Sequence, residues 1–259
     1  MWAKFRNNSI LISIFLLSVS FLTQVTAQPV EGVIIYEDTR YWTRIYSRLD
    51  YLTQEEKDRM KLVWGANDSY KQEMKVTFNP SRSIYTYLDD QGRSDDGRYT
   101  WKLPTYVATR DFEKGKQQDW LVMLGRNYMV DDSLQAPRWK VMNKIKDIKG
   151  YVCMMAVTED TVRNQKITAW FADGIPASVG PGDYFGLPGA ILELEVNDGD
   201  IVVTAKEIQL RPLAPAEIQI PKQKKAKTVS VAERNRLIWT HLRDNIKAGR
   251  YPYAAVPFL

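Results

Sequence analysis

The chain has 259 residues, with 36 lysines and arginines against 31 acidic side chains, and 44% of it is hydrophobic. This near-balance argues against nucleic-acid binding, which draws on a strongly basic surface. One cysteine and one histidine exclude an internal disulfide and a Cys/His zinc site, which takes about four such ligands.

The first predicted element is a leader. Lys4 and Arg6 precede an apolar run from Ile10 to Leu22, and Val25 and Ala27 stand at −3 and −1 of a cleavage point before Gln28. That order reads as a cleavable signal peptide over residues 1–27. The run is shorter than the ~20 apolar residues of a spanning helix. No cysteine stands near the cleavage point to carry a lipid anchor. The expected address is periplasmic or secreted, with no transmembrane segment after cleavage. Of the 36 basic residues, removing Lys4 and Arg6 leaves 34 against 31 acidic, a net charge of +3.

Gly32 to Glu37 reads as the first strand, and Tyr41 to Leu49 as its continuation. Thr53-Gln54-Glu55-Glu56 is a capping box that opens a short helix, with Leu52, Met60 and Val63 or Trp64 to dock it and Gly65 to stop it. Alternation over Met74, Val76 and Phe78, a turn at Asn79-Pro80-Ser81-Arg82, and Ile84, Tyr85 and Tyr87 predict an antiparallel hairpin. Asp89 to Gly97 is a polar loop. Extended patterns resume at Trp101–Asp111, Trp120–Val130, Trp139–Ile145, Tyr151–Thr158, Gln165–Phe171 and Ile201–Leu210. Strands about ten residues apart without long helices between them argue for an antiparallel meander. Past Arg211, prolines break the pattern and a basic linker runs from Pro221 to Lys227. Ser230-Val231-Ala232-Glu233 opens a last helix, with Leu237, Ile238, Leu242 and Ile246 on one face and Arg234, Arg236, Arg243 and Asp244 mostly on the other.

Residues 168–196 form the most distinctive stretch. Two Pro/Gly turns, Gly180-Pro181-Gly182 and Leu187-Pro188-Gly189, separate the strand ending Ala169-Trp170-Phe171 from one in which Leu192, Leu194 and Val196 face one way and Ile191, Glu193 and Glu195 the other. Pro188 followed by Gly189 predicts a type II turn with positive φ at the glycine. Ala169-Trp170-Phe171, Ile175-Pro176, Gly180-Pro181 and Gly186-Leu187-Pro188-Gly189-Ala190-Ile191 resemble the signature of the GLPGLI family. Gly150-Tyr151-Val152-Cys153 with Ala156 resembles that family's Tyr-x-Cys-x-x-Ala segment. Ala190 departs from the leucine in the family's name. The resemblance is strong over residues 139–196 and loose elsewhere. It implies a secreted or periplasmic protein of Gram-negative bacteria, associated with TonB-linked outer-membrane systems, and it implies no activity.

The chemical candidates are few. Cys153 sits in the apolar strand Tyr151 to Met155 and reads as a small buried hydrophobe; alternation prevents Cys153, Met154 and Met155 from converging on copper. His241 has no partner legible in the sequence. Asp89/Asp90, Asp95/Asp96 and Asp131/Asp132 fall in turn-like stretches, and Glu193 and Glu195 share a strand face that basic residues can meet. No phosphate loop, dinucleotide fingerprint, nucleophile elbow or zincin motif occurs.

The expected fold is mainly β (α+β): a strongly curved antiparallel sheet with a short N-terminal helix and a C-terminal helix, similar to periplasmic lipoprotein-carrier folds. Residues 28–212 form the β domain, and residues 213–259 the linker and helix packed on it. The expected function is a non-enzymatic envelope protein that binds a lipid-like ligand or an outer-membrane partner, without cofactor or metal. The alternatives are a carboxylate-based envelope hydrolase and a structural subunit of an outer-membrane complex. The expected contact surface is Trp170, Ile175, Pro176, Tyr184, Phe185, Leu187, Pro188 and Gly189.

Overall fold

The computed structural model describes residues 30–257, apart from 66–67, 94–96, 224 and 254. The expected signal peptide lies outside the described residues. The chain runs β1 (Gly32–Tyr41), α1 (Trp42–Ser47), α2 (Gln54–Trp64), β2 (Ser69–Phe78), β3 (Arg82–Tyr87), β4 (Gln91–Arg93), β5 (Thr100–Lys102), β6 (Tyr106–Asp111), β7 (Lys116–Met123), β8 (Arg126–Ser133), β9 (Lys140–Ile148), β10 (Tyr151–Asp160), β11 (Gln165–Ala172), β12 (Ala190–Val196), β13 (Ile201–Leu210), β14 (Lys227–Val229) and α3 (Val231–Lys247).

Twelve strands form one sheet in the order β14-β8-β7-β6-β3-β2-β1-β13-β12-β11-β10-β9, while β4 and β5 make a separate hairpin. Two meanders therefore meet at a seam, where β1 pairs antiparallel with β13 from Gly32↔Leu210 to Arg40↔Ile201. The connection from β8 to β9 explains the curvature. It leaves Ser133 near one edge of the sheet and enters Lys140 at the other edge. In a flat sheet, strands ten places apart lie about 48 Å from one another. Seven backbone steps span about 25 Å at most. The sheet must curl until its two sides approach.

The curl encloses the core. Ile34 and Tyr36 of β1, Phe78 of β2, Phe171 of β11 and Leu192 and Leu194 of β12 are buried together. The Tyr36 hydroxyl donates to the Ile191 carbonyl at 2.8 Å. A smaller cluster joins Leu121, Met123 and Val130 of β7 and β8 to Val229, Ile238 and Leu242 of β14 and α3. Burying Ile238 and Leu242 stabilises the helix docking by about 1.5–3 kcal/mol each.

Several expectations are corrected. Tyr41 to Leu49 does not continue the strand: α1 begins at Trp42, where the Asp68 carboxylate accepts from the Thr43 backbone N–H at 2.7 Å and from its hydroxyl at 2.5 Å. That cap comes from 25 positions away and is invisible to local reading. The Thr53–Glu56 capping box is present, yet α2 buries none of its side chains; Leu62 is 84% exposed, and Trp64 stacks on Trp42 with ring centroids 5.3 Å apart. The sheet is mixed rather than purely antiparallel, because Lys227–Val229, at and just past the end of the basic linker, pairs parallel with Tyr128–Val130. At Ser230 only half of the second capping box forms: its side chain accepts from Glu233 N, while the Glu233 carboxylate turns to Arg236. Among the described residues, no helix is long and apolar enough to cross a membrane.

Candidate functional site

The 173–189 loop between β11 and β12 crosses the inside of the curl. Ile175, Tyr184, Phe185, Leu187 and Gly189 are buried, Trp170 is half-buried, and Pro176 and Pro188 are exposed. This corrects the expectation of an aromatic contact surface, since Ile175, Tyr184, Phe185 and Leu187 are spent on the core. The Phe185 carbonyl accepts from the Trp139 indole at 2.8 Å, which ties the loop to the β8–β9 connection. Trp170 lies toward Lys146, Glu193 and Glu195: its indole donates to Glu195 at 3.2 Å, and the Lys146 ammonium sits 4.3 Å from its ring centroid while pairing with Glu193. The basic residue expected opposite Glu193 and Glu195 is Lys146.

Gly189 is required for a different reason than expected. Its φ is not positive; the positive values in the loop belong to Gly182 at 56° and Gly186 at 89°. A Cβ on Gly189 would instead fall far inside van der Waals contact with the Ala172 carbonyl oxygen. Close approach of two backbones, rather than a type II turn, fixes this glycine.

Asp183 anchors the loop. It accepts from Arg234 of α3 at 3.1 Å and from Arg110 of β6 at 3.3 Å. Arg110 also donates to the Gly182 carbonyl at 3.0 Å and pairs with Asp119 of β7. Arg110 and Asp119 are only 3% and 2% exposed. Burial works to raise the Asp183 pKa, but Arg234, Arg110 and Arg163 outweigh it and hold the carboxyl at about 2. Burial pushes Asp119 above the usual carboxylate range, against Arg110. The cluster locks β6, β7, the loop and α3 together. Arg234 was expected on the solvent face of its helix; it is buried because this cluster consumes it.

A second polar group lies at the floor of an apolar cavity of about 380 Å³. β1 turns Asp38 inward in phase with Ile34 and Tyr36, and Asp38 is buried. Arg40, two residues on, pairs with it through Nη2–Oδ2 at 3.0 Å and Nε–Oδ1 at 3.4 Å. Met74, Leu121, Met123 and Val256 are among the apolar walls, and Tyr85, Tyr87 and Tyr106 complete the polar side. Tyr85 is 3% exposed, and its hydroxyl has no hydrogen-bond partner. Burial, then the nearby Asp38 charge, raises its pKa well above the usual phenol value. Burial pushes Tyr87 up to about 12. These phenols stay protonated at neutral pH. Residues 255–257 close one side of the cavity, with Leu124 N donating to the Ala255 carbonyl at 2.7 Å and Arg163 Nε to the Pro257 carbonyl at 3.2 Å.

Of the remaining candidates, Asp95 and Asp96 lie outside the described residues, and Cys153, His241 and Asp132 have structural contacts. Cys153 is fully buried, and burial pushes its thiol up to about 11. The His241 ring contacts the Asn245 amide at 3.0 Å. Asp132 accepts from Val231 N at 2.9 Å and so caps α3. Among the described residues, no group of three or more His, Cys, Asp or Glu side chains could hold a metal ion. Sequence reasoning missed Asp38, Arg40, Tyr85, Arg110, Asp119 and Asp183. A signal was available: Asp38 shares the phase of Ile34 and Tyr36, and Asp119 shares that of Leu121 and Met123.

Comparison with known proteins bears on the fold and on the loop. A family model described as a protein of unknown function (Porph_ging) matches residues 158–193, the stretch that holds β11 and the crossing loop. No curated protein matches the chain. Two solved structures, titled as PNGF-II in space groups C2 and P21, are similar over 81% of this chain with TM-scores of 0.52, at 13% and 12% identity. The chain spans about a third of their length, 33% in each case. At that identity the likeness is one of fold.

Proposed function

We propose that this chain is a non-enzymatic, exported binding protein that holds a small apolar-bodied ligand in the cavity between β1, β3, β6 and β7. One observation carries the reading: the Tyr85 hydroxyl is buried without a partner in a cavity whose walls are largely apolar. A buried, unsatisfied donor is costly, whereas ligand sites combine apolar walls with a few placed polar groups. The volume of about 380 Å³ lies at the small-molecule end of such sites. The leader-like N-terminal sequence and the GLPGLI resemblance support a periplasmic or secreted address and an envelope role, and the resemblance alone supports a TonB-linked outer-membrane protein as partner.

The hydrolase alternative has less behind it. Asp119 and Asp183, the carboxyls whose pKa values are displaced inside the curl, are both engaged by Arg110. The test is native mass spectrometry of the protein purified from its own envelope fraction, followed by extraction and identification of the bound species. A stoichiometric apolar adduct, lost on extraction and restored on adding it back, is expected. A clean apo mass that no envelope lipid extract changes refutes the reading.

A further inference from the structure

We infer that the cavity selects uncharged ligands: apolar molecules bearing a hydrogen-bond-accepting oxygen of the ester or ketone kind, in preference to free carboxylates on the same chain. This rests on the binding function proposed above and specifies its ligand. Asp38 and Arg40 are the ionisable Asp, Glu, Lys or Arg side chains in the lining, and they neutralise each other on one face of β1. The next charges, felt at Tyr106, are Asp119, Asp183, Arg110 and Arg234, again two of each sign. Among the described residues no surplus positive charge lines the cavity, so an anionic head would be desolvated beside the Asp38 carboxylate without compensation.

The Tyr85 hydroxyl sets the complementary requirement. Tyr85 lines the cavity together with Asp38, Arg40, Tyr87 and Tyr106, and its ring meets that of Tyr106 edge-on with centroids 6.1 Å apart. A protonated phenol offers one donor, and a neutral carbonyl oxygen accepts it without adding charge. The hydroxyl makes no hydrogen bond within the protein, so its removal leaves no protein group unpaired.

The experiment titrates methyl decanoate and decanoate into the delipidated protein at neutral pH, by displacement of an apolar fluorescent probe. The ester is expected to bind at least about tenfold more tightly than the acid anion, the factor set by 1.4 kcal/mol. Tyr85→Phe is expected to weaken the ester about five- to tenfold, while the empty variant melts no lower than wild type because the deleted hydroxyl has no partner in the protein. Asp38→Asn removes the one carboxylate of the lining and is expected to reverse the preference toward decanoate. Equal or tighter binding of decanoate by the wild-type protein overturns the charge selection while leaving the cavity a ligand site. An ester affinity unmoved by Tyr85→Phe overturns the role of the hydroxyl, whether or not the Asp38 variant folds. Failure of both probes to bind removes the binding function itself, and the selectivity with it.

Discussion

Replacing Arg234 by methionine tests the claim that the crossing loop is held by charge. Methionine keeps much of the packing volume and deletes the guanidinium that donates to Asp183 at 3.1 Å. Asp183 sits at about 2 instead of 3.8, a difference worth about 2 kcal/mol of folding stability at neutral pH. Asp119, 3.7 Å from the same guanidinium, loses part of its compensation too. Removing one partner of a buried ion pair costs about 3–5 kcal/mol, and about 3 is expected here because Arg110 remains. For a domain of this size that lowers the melting temperature by about 6–12 °C. The assay is urea and thermal unfolding of wild type, Arg234→Met, Asp183→Asn and the double variant. A coupling of about 1–3 kcal/mol between the two sites is expected. A single-variant loss under about 1 kcal/mol, or a coupling near zero, refutes the electrostatic lock.

Three further outcomes can be measured. Asp183 is depressed on folding, so its contribution is fully present above pH 3.8 and is lost as pH falls through about 2; Asp183→Asn should flatten the loss of stability across that window in acid titrations of the unfolding midpoint. Gly189→Ala should destabilise by more than about 2 kcal/mol, because even a methyl group meets the Ala172 carbonyl; a denaturation midpoint equal to wild type counts against the close approach. Cys153→Ser should lower stability by about 1–3 kcal/mol through burial of a hydroxyl, and the wild-type thiol should resist alkylation until the protein unfolds, since it is buried and titrates at about 11.

Strand positions were legible because their cause is local. The alternation of Met74, Val76 and Phe78 and the Asn79 turn, where Asn79 Oδ1 accepts from Ser81 N at 3.0 Å and Arg82 N at 2.9 Å, need nothing beyond their neighbours. The Thr53 cap was readable for the same reason. The first turn of α1 was not, because Asp68 supplies its cap from another element. Strand β14 lay hidden at the end of a basic linker, since three residues pairing with β8 carry no period of their own. The motif drew attention to the right loop for the wrong property. Its aromatics looked like a surface, yet they fill the curl, and the residue that ties the loop to distant elements is Asp183. Nothing local distinguishes that aspartate from one in an ordinary Gly-Asp turn. Its partners, Arg110 and Arg234, stand 73 and 51 positions away.

The seam between β1 and β13 also constrains the order in which the molecule can assemble. Gly32 pairs with Leu210, so the central ladder cannot close until nearly the whole sheet-forming chain is present. Pairings of such separation carry a large loop-closure entropy before any contact repays it. The protein should therefore fold slowly for its size, with the β2–β3 and β7–β8 hairpins forming early. Until β13 arrives, the Ile34 and Tyr36 strand presents an open edge. A chain halted before residue 201 would keep that edge exposed, and its hazard would be self-association rather than simple loss of binding.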